Sequence, residues 1–158
     1  MANRYLLPIY ERLYEKSFNY GEFDQRMEMQ KAVYLLQNMG VPIGNYGFRW
    51  YKHGPYSQQL QDDMYFEKGR ISGPVTLIRE YSESVDRLYR VIHSNVDSVY
   101  STSHWVDCLA SLHYLKENLL PYGAKEDDVV RALEMRKPHL AEHEINVRAY
   151  RLVEELFA

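Results

Sequence analysis

Two histidines and a glutamate in the last quarter of the chain have the spacing of a zinc site. The string His139-Leu140-Ala141-Glu142-His143 has the order H-x-x-E-H. In that order two histidines on one helical face bind Zn²⁺ and the glutamate activates a water molecule. Lys137-Pro138 just before the string predicts that His139 lies at or outside the start of the helix, where its ring need not share a face with His143. We therefore expect no catalytic residue, no metal and no cofactor, and keep a zinc hydrolase as the third hypothesis.

His104, Asp107 and His113 accompany an apolar helical pattern and have the side-chain types of an acid and a base. The two histidines are nine residues apart, about two and a half helical turns, which places them on opposite sides of the helix. Helix capping and the helix dipole explain a histidine at a helix start and an aspartate in the first turn, so we expect no catalytic role for these residues. Cys108 is the single cysteine, which excludes a disulfide framework and fits a reducing compartment.

The segment from Phe48 to Ser57, FRWYKHGPYS, differs most from a plain helical scaffold. Five of its ten residues are aromatic or histidine, and it reads as a loop or strand edge. Aromatic side chains on a rigid turn give a partner a large contact area at low entropic cost. The predicted partner-binding residues are Trp50, Tyr51, His53 and Tyr56. The alternative is that Phe48 and Trp50 enter the core while Gly54-Pro55 only turns the chain.

Length and composition favour one folded domain spanning residues 1–158. The chain has 158 residues, of which 46% are apolar and 26% charged, values typical of a globular protein rather than a disordered one. Its 15 tyrosines suit helix rims, and also interfaces. We find no apolar run near 20 residues and no signal-like N-terminus, so we expect a cytoplasmic protein with no membrane contact.

The charge pattern does not favour nucleic acid as the partner. The formal net charge is −3, whereas phosphate-binding domains usually carry a basic face. Between residues 45 and 92, seven Lys/Arg are interleaved with six Asp/Glu. We therefore expect another protein as the partner, with a homodimer also open, and keep a winged-helix-like nucleic-acid-binding regulator as the alternative.

Apolar spacing and stop signals predict a mainly α fold of seven helices. The first begins near Leu6 and ends by residues 19–21, and the second is capped by Asp24 and ended by Gly40. The others cover about 57–68, 81–92, 101–120 and 126–135, and the last runs from about 139 or 141 to 156, with Ser57 and the cluster at 101–103 as caps. Residues 43–57 predict a short strand or extended loop, and residues 75–78 a brief strand that pairs with it as a hairpin or wing.

Several strings resemble a known family. Gln30 to Gln37 (QKAVYLLQ), followed by Tyr51 to Ser57 (YKHGPYS), resembles the Q-K-hydrophobic-Y helix and the H-G-P turn of Panacea, or SocA-like, antitoxin domains. The likeness is closer to the YwgA-like proteins of bacteria and archaea, which share a Y-x-x-G-P-Y-S turn and a string similar to Trp105 through Leu115. Lys137-Pro138, at the start of the final helix, is similar to the family as well, so the resemblance spans roughly residue 23 to the end.

This resemblance implies an all-α or winged-helix-like fold. For the Panacea branch it further implies an antitoxin or defence-system regulator, which neutralises a toxin by binding it directly or by adapting it to a protease. The YwgA-like branch brings no activity with it. The leading hypothesis is accordingly a protein-interaction module.

Overall fold

α-Helices make up most of the computed structural model, which describes residues 3–71, 73, 75–96 and 98–158. Within those residues the helices are α1 (Leu6–Tyr14), α2 (Phe23–Asn38), α3 (Gln58–Glu67), α4 (Thr76–Glu80), α5 (Ser82–Ile92), α6 (Thr102–Tyr114), α7 (Glu126–Arg136) and α8 (His143–Leu156). A π-helical turn, Leu115–Leu119, continues α6, and the strands β1 (Arg49–Tyr51) and β2 (Gly54–Tyr56) pair as a hairpin. The expected mainly α domain with a short hairpin is confirmed.

The core is built around α2 and α6, which pack directly against each other. Tyr34 of α2 and Trp105 of α6 are among the largest fully buried side chains. α8 covers α6, α7 packs against α8, and α1 packs against α5. β2 contacts both α2 and α6, so the hairpin rests on the central helix pair.

Several helix ends have the capping residues that the sequence predicts. The side chains of Ser57 and Ser101 cap α3 and α6 by accepting hydrogen bonds from N–H groups one turn later. Gly40 has a φ of +92° just after α2, the left-handed conformation that favours glycine. Asp24 is not the cap of α2, because the helix begins one residue earlier and Glu22 holds the cap position.

Two further predictions about local structure are wrong. The first helix ends at Tyr14, where Glu15 takes a left-handed conformation, well before the predicted stop. Residues 75–78 form no strand, since α4 begins at Thr76 and its Leu77 is buried. A four-residue apolar run has no distinguishable period, so packing decides its structure. The hairpin forms instead within the aromatic segment, with Trp50 opposite Pro55.

None of the helices that the structure describes is at once long and apolar enough to cross a lipid bilayer.

Candidate functional site

Two consecutive side chains of α2 hold the backbone of the hairpin. The Lys31 ammonium donates hydrogen bonds to the carbonyl oxygens of His53 and, at 2.8 Å, of Pro55. The Gln30 amide donates to the Ser57 carbonyl oxygen at 2.9 Å and accepts from the Ser57 N–H at 2.9 Å. The Gln30 and Lys31 side chains thus form hydrogen bonds with backbone groups in and beside β2 that would otherwise need a third strand as their partner. The hairpin is thereby fixed to α2.

A buried carboxylate lies beneath the same hairpin. The Asp107 carboxylate accepts hydrogen bonds from Lys137 Nζ at 2.7 Å and from Ser111 Oγ at 2.9 Å. His139 Nε2 lies 3.8 Å from the same carboxylate, at ion-pair distance. Lys31, Asp107, Ser111 and Lys137 are all buried, and together we call them the buried ionic cluster.

Gly54 joins the hairpin to this cluster. Its φ is +83°, and a Cβ at this position would lie 2.5 Å from Ser111 Oγ and 2.9 Å from Asp107 Oδ1. Both the backbone conformation and the close approach therefore require glycine. The backbone of β2 therefore packs directly against the Asp107 carboxylate.

Burial and the charges of the cluster shift the pKa values of Lys31, Asp107 and the neighbouring His53. Burial lowers the pKa of Lys31 from 10.5 to about 8, although the Asp107 charge opposes this shift. Burial would raise the pKa of Asp107, but His139 and the two lysine cations lower it to about 2. Partial desolvation, together with the Lys137 and Lys31 charges, lowers the pKa of the neighbouring His53. At neutral pH the Asp107 carboxylate is therefore ionised, Lys31 remains mostly protonated and the His53 ring is neutral.

An aromatic layer beside the cluster gives the hairpin a second support. Phe48 meets Tyr34 edge to face with ring centroids 5.1 Å apart, and the Trp50 ring lies 5.9 Å from that of Tyr114. The Tyr34 hydroxyl and His113 Nδ1 are 2.7 Å apart in the interior. His113 also stacks on Phe157 at 4.0 Å, which brings the end of the chain onto this layer.

We expect His113 to make the protein less stable in mild acid. Burial lowers the pKa of His113 from 6.5 to about 4, so between these values the unfolded chain binds a proton that the folded one does not. Stability should therefore be full above pH 6.5 and fall by roughly 2–3 kcal/mol towards pH 4. Urea unfolding measured across this range tests the expectation.

The matched control for this pH dependence is His113→Gln, which cannot titrate and keeps a polar atom for the Tyr34 hydroxyl. His104 is exposed, so His104→Gln should leave the pH dependence unchanged. An undiminished slope between pH 6.5 and 4 in His113→Gln would show that another group is responsible.

The outer face of the hairpin is aromatic and open to solvent. Tyr51 is 57% exposed, and its ring lies 5.5 Å from that of Tyr56. The exposed His53 meets Phe23 at 5.0 Å, edge to face. Tyr51, Tyr56, His53 and Phe23 form what we call the hairpin face, and a shallow groove of about 660 Å³ borders it at β1 and the start of α3.

The predicted contact residues differ in exposure, because Tyr51 and His53 are exposed whereas Tyr56 and Trp50 are half buried. The half-buried side chain of Trp50 lies near Tyr114 and the Lys137 ammonium. This follows from strand alternation, since Arg49 and Tyr51 on either side of it are exposed. Phe48 is half buried too, as the alternative interpretation of the segment expects. Direct contact by Trp50 stays a prediction.

The H-x-x-E-H string is divided between two places. His139 precedes α8 and faces Asp107, whereas His143 is the first residue of α8 and lies 3.0 Å from the Glu134 carboxylate. In residues 3–71, 73, 75–96 and 98–158, no three His, Cys, Asp or Glu side chains are arranged to hold a metal ion. The single cysteine, Cys108, is also buried, and burial raises the pKa of its thiol well above the ordinary value.

Sequence reasoning missed the roles of Lys31, Asp107 and Lys137. A signal was present, because Lys31 lies four residues after Met27 and four before Leu35, on the buried face of α2. Asp107 likewise interrupts an apolar run on α6. A charge on the apolar face of a helix needs a buried partner, but spacing alone did not show which residue supplies it.

Comparisons of the chain with protein-family models, with curated proteins and with solved structures found no match. The resemblance to Panacea and YwgA-like proteins therefore stays a prediction. The strings that carry this resemblance do lie at one place in the fold. The YKHGPYS turn is part of the hairpin, and residues of the other strings contact the hairpin or its buried support, namely Gln30, Lys31, Asp107, Ser111 and Lys137.

Proposed function

We propose that this chain is a protein-interaction module that binds a partner protein through the hairpin face. Tyr51, His53 and Tyr56 make the contact, with Phe23 beside them, and Trp50 supports them from below. The observation that carries the proposal is the separation of roles within one short segment. Its backbone is anchored by buried charges, while the rings of Tyr51 and His53 remain exposed and that of Tyr56 is half exposed beside them.

Rigid support is what makes exposed rings effective in binding. Aromatic anchors contribute most of the affinity of many interfaces, and fixing them beforehand reduces the entropy lost on association. The hairpin backbone is held by Lys31, Gln30 and the Gly54 contact. A scaffold role alone would not require Tyr51 to stay more than half exposed. We infer that the buried ionic cluster presents the hairpin face in one conformation.

The resemblance extends this proposal to a biological role. An antitoxin or defence-system regulator acting in the cytoplasm would use the hairpin face to bind and neutralise a toxic protein. The nucleic-acid alternative draws on the same rings, which could stack on bases, but the interleaved charges give it less support.

The double substitution Tyr51→Ala/Tyr56→Ala should remove partner binding without unfolding the chain. The tagged wild type, purified at native expression level from its own host, is expected to retain a stoichiometric partner, and the double variant is expected to lose it. Because these side chains do not fill the core, the melting temperature should fall by less than about 4 °C. Mass spectrometry of the co-purified material and thermal unfolding provide the two measurements.

Phe66→Ala is the matched control, since Phe66 is an aromatic of 60% exposure on α3, outside the hairpin face. It should retain the partner. A co-purified protein that is toxic when produced alone supports the antitoxin role. Salt-sensitive retention of nucleic acid, or retention of the partner by the double variant, would contradict the proposal.

A further inference from the structure

We propose a second docking site, separate from the hairpin face, in the groove between α7 and the segment 120–124. Its occupant is an acidic segment of another protein that inserts one large apolar side chain. The groove has a volume of about 550 Å³, within the range in which a few side chains can be enclosed. No residue that lines it belongs to the hairpin face.

The walls of the groove are mostly apolar, with charged side chains at the rim, and are set in fixed positions. Asp128, Arg131, Ala132 and Met135 line it from α7, at the i, i+3, i+4, i+7 spacing of one helical face. Tyr122 opposite them is fully exposed and Met135 is 74% exposed. Hydrogen bonds from the Leu120 and Ala124 N–H groups to earlier carbonyl oxygens fix the segment. Apolar side chains this exposed beside a groove are typical of an interaction site.

The charge at the rim selects the partner. Arg131 and Arg136 line the groove, and neither forms a salt bridge with any residue in the described part of the chain. The carboxylate in the lining, Asp128, accepts a hydrogen bond from the Lys125 N–H at 3.1 Å and caps α7. The Arg136 guanidinium donates one hydrogen bond, to the Ala132 carbonyl oxygen at 3.4 Å, so most donors of the two exposed guanidinium groups stay available beside an apolar floor. They complement carboxylates on either side of an apolar anchor.

A selection from a random twelve-residue peptide display library tests this inference directly. The wild-type chain should enrich peptides that carry net negative charge and at least one large apolar residue. By fluorescence anisotropy, these peptides should bind Tyr122→Ser/Met135→Ser at least tenfold more weakly. Arg131→Gln/Arg136→Gln should weaken binding and flatten its dependence on salt. The substituted side chains are exposed, so thermal unfolding should show all variants folded.

Tyr51→Ala/Tyr56→Ala serves as the control and should bind the enriched peptides as the wild type does. The absence of acidic peptides among those enriched, or equal binding of the enriched acidic peptides by the groove variants and the wild type, would overturn the proposal. A dimer in sedimentation that becomes monomeric in Tyr122→Ser/Met135→Ser would also overturn it, by showing that the groove is filled by a second copy of the chain.

Discussion

Asp107→Asn is expected to lower the free energy of unfolding by about 3–5 kcal/mol, the usual cost of removing one partner from a buried ionic set. The substitution keeps the shape of the side chain but leaves the Lys31 and Lys137 cations buried without their carboxylate. Because the carboxylate also lies against Gly54, the hairpin should loosen as well. Urea unfolding at pH 7 measures the loss of stability, and amide hydrogen exchange of residues 49–57 measures the loosening.

Two variants separate a charge effect from a general loss of packing. Lys137→Met in the Asp107→Asn background removes one of the uncompensated cations and should recover part of the stability. Glu126→Gln breaks the exposed pair with Arg151 and should change stability little. If Asp107→Asn unfolds no more easily than Glu126→Gln, the buried ionic cluster does not anchor the hairpin.

Gly54→Ala is expected to destabilise the protein by about 2–5 kcal/mol. A left-handed φ costs a residue with a side chain about 1–2 kcal/mol, and forcing an extra methyl group into a packed site adds about 1–3 kcal/mol. The new Cβ would meet Ser111 Oγ and Asp107 Oδ1 well inside contact distance. Chemical unfolding measures the loss of stability. Partner binding by the protein that remains folded measures the effect on the hairpin.

Gly69→Ala is the matched control for this experiment. Gly69 has a φ of +76°, and nothing lies within 4 Å of a Cβ built there. It should therefore show only the conformational cost of about 1–2 kcal/mol. Equal losses from the two substitutions would mean that the close contact with Asp107 is unimportant.

Much of the fold was predictable from local signals. Serine caps, a glycine after α2 and the i, i+3, i+4 apolar spacing identify most helices, because these features act within a few residues of the chain. The errors arose where local signals are weak. The run at residues 75–78 was too short to show a period, and the end of α1 depends on a non-glycine residue in a left-handed conformation.

The candidate site was predictable only in part. The composition of the aromatic segment identifies it as a candidate site, and the structure leaves its Tyr51 and His53 exposed. Its support was not visible in the sequence, since Gln30-Lys31, Asp107 and Lys137 are separated by tens of residues along the chain. The H-x-x-E-H string is the opposite case, because His139 and His143 are close in sequence but lie beside different carboxylates in the structure.

The sequence by itself determined most of the helices, the turn at Gly54 and the aromatic composition of the segment around it, because these depend on the preferences of neighbouring residues. Only the tertiary structure decided which charges are buried together and which face of the hairpin is open. Pairing of Lys137 with Asp107, and of Lys31 with the carbonyl oxygens of β2, requires α2, α6 and the end of α7 to meet. Such contacts between distant residues arise from the packing of the whole core.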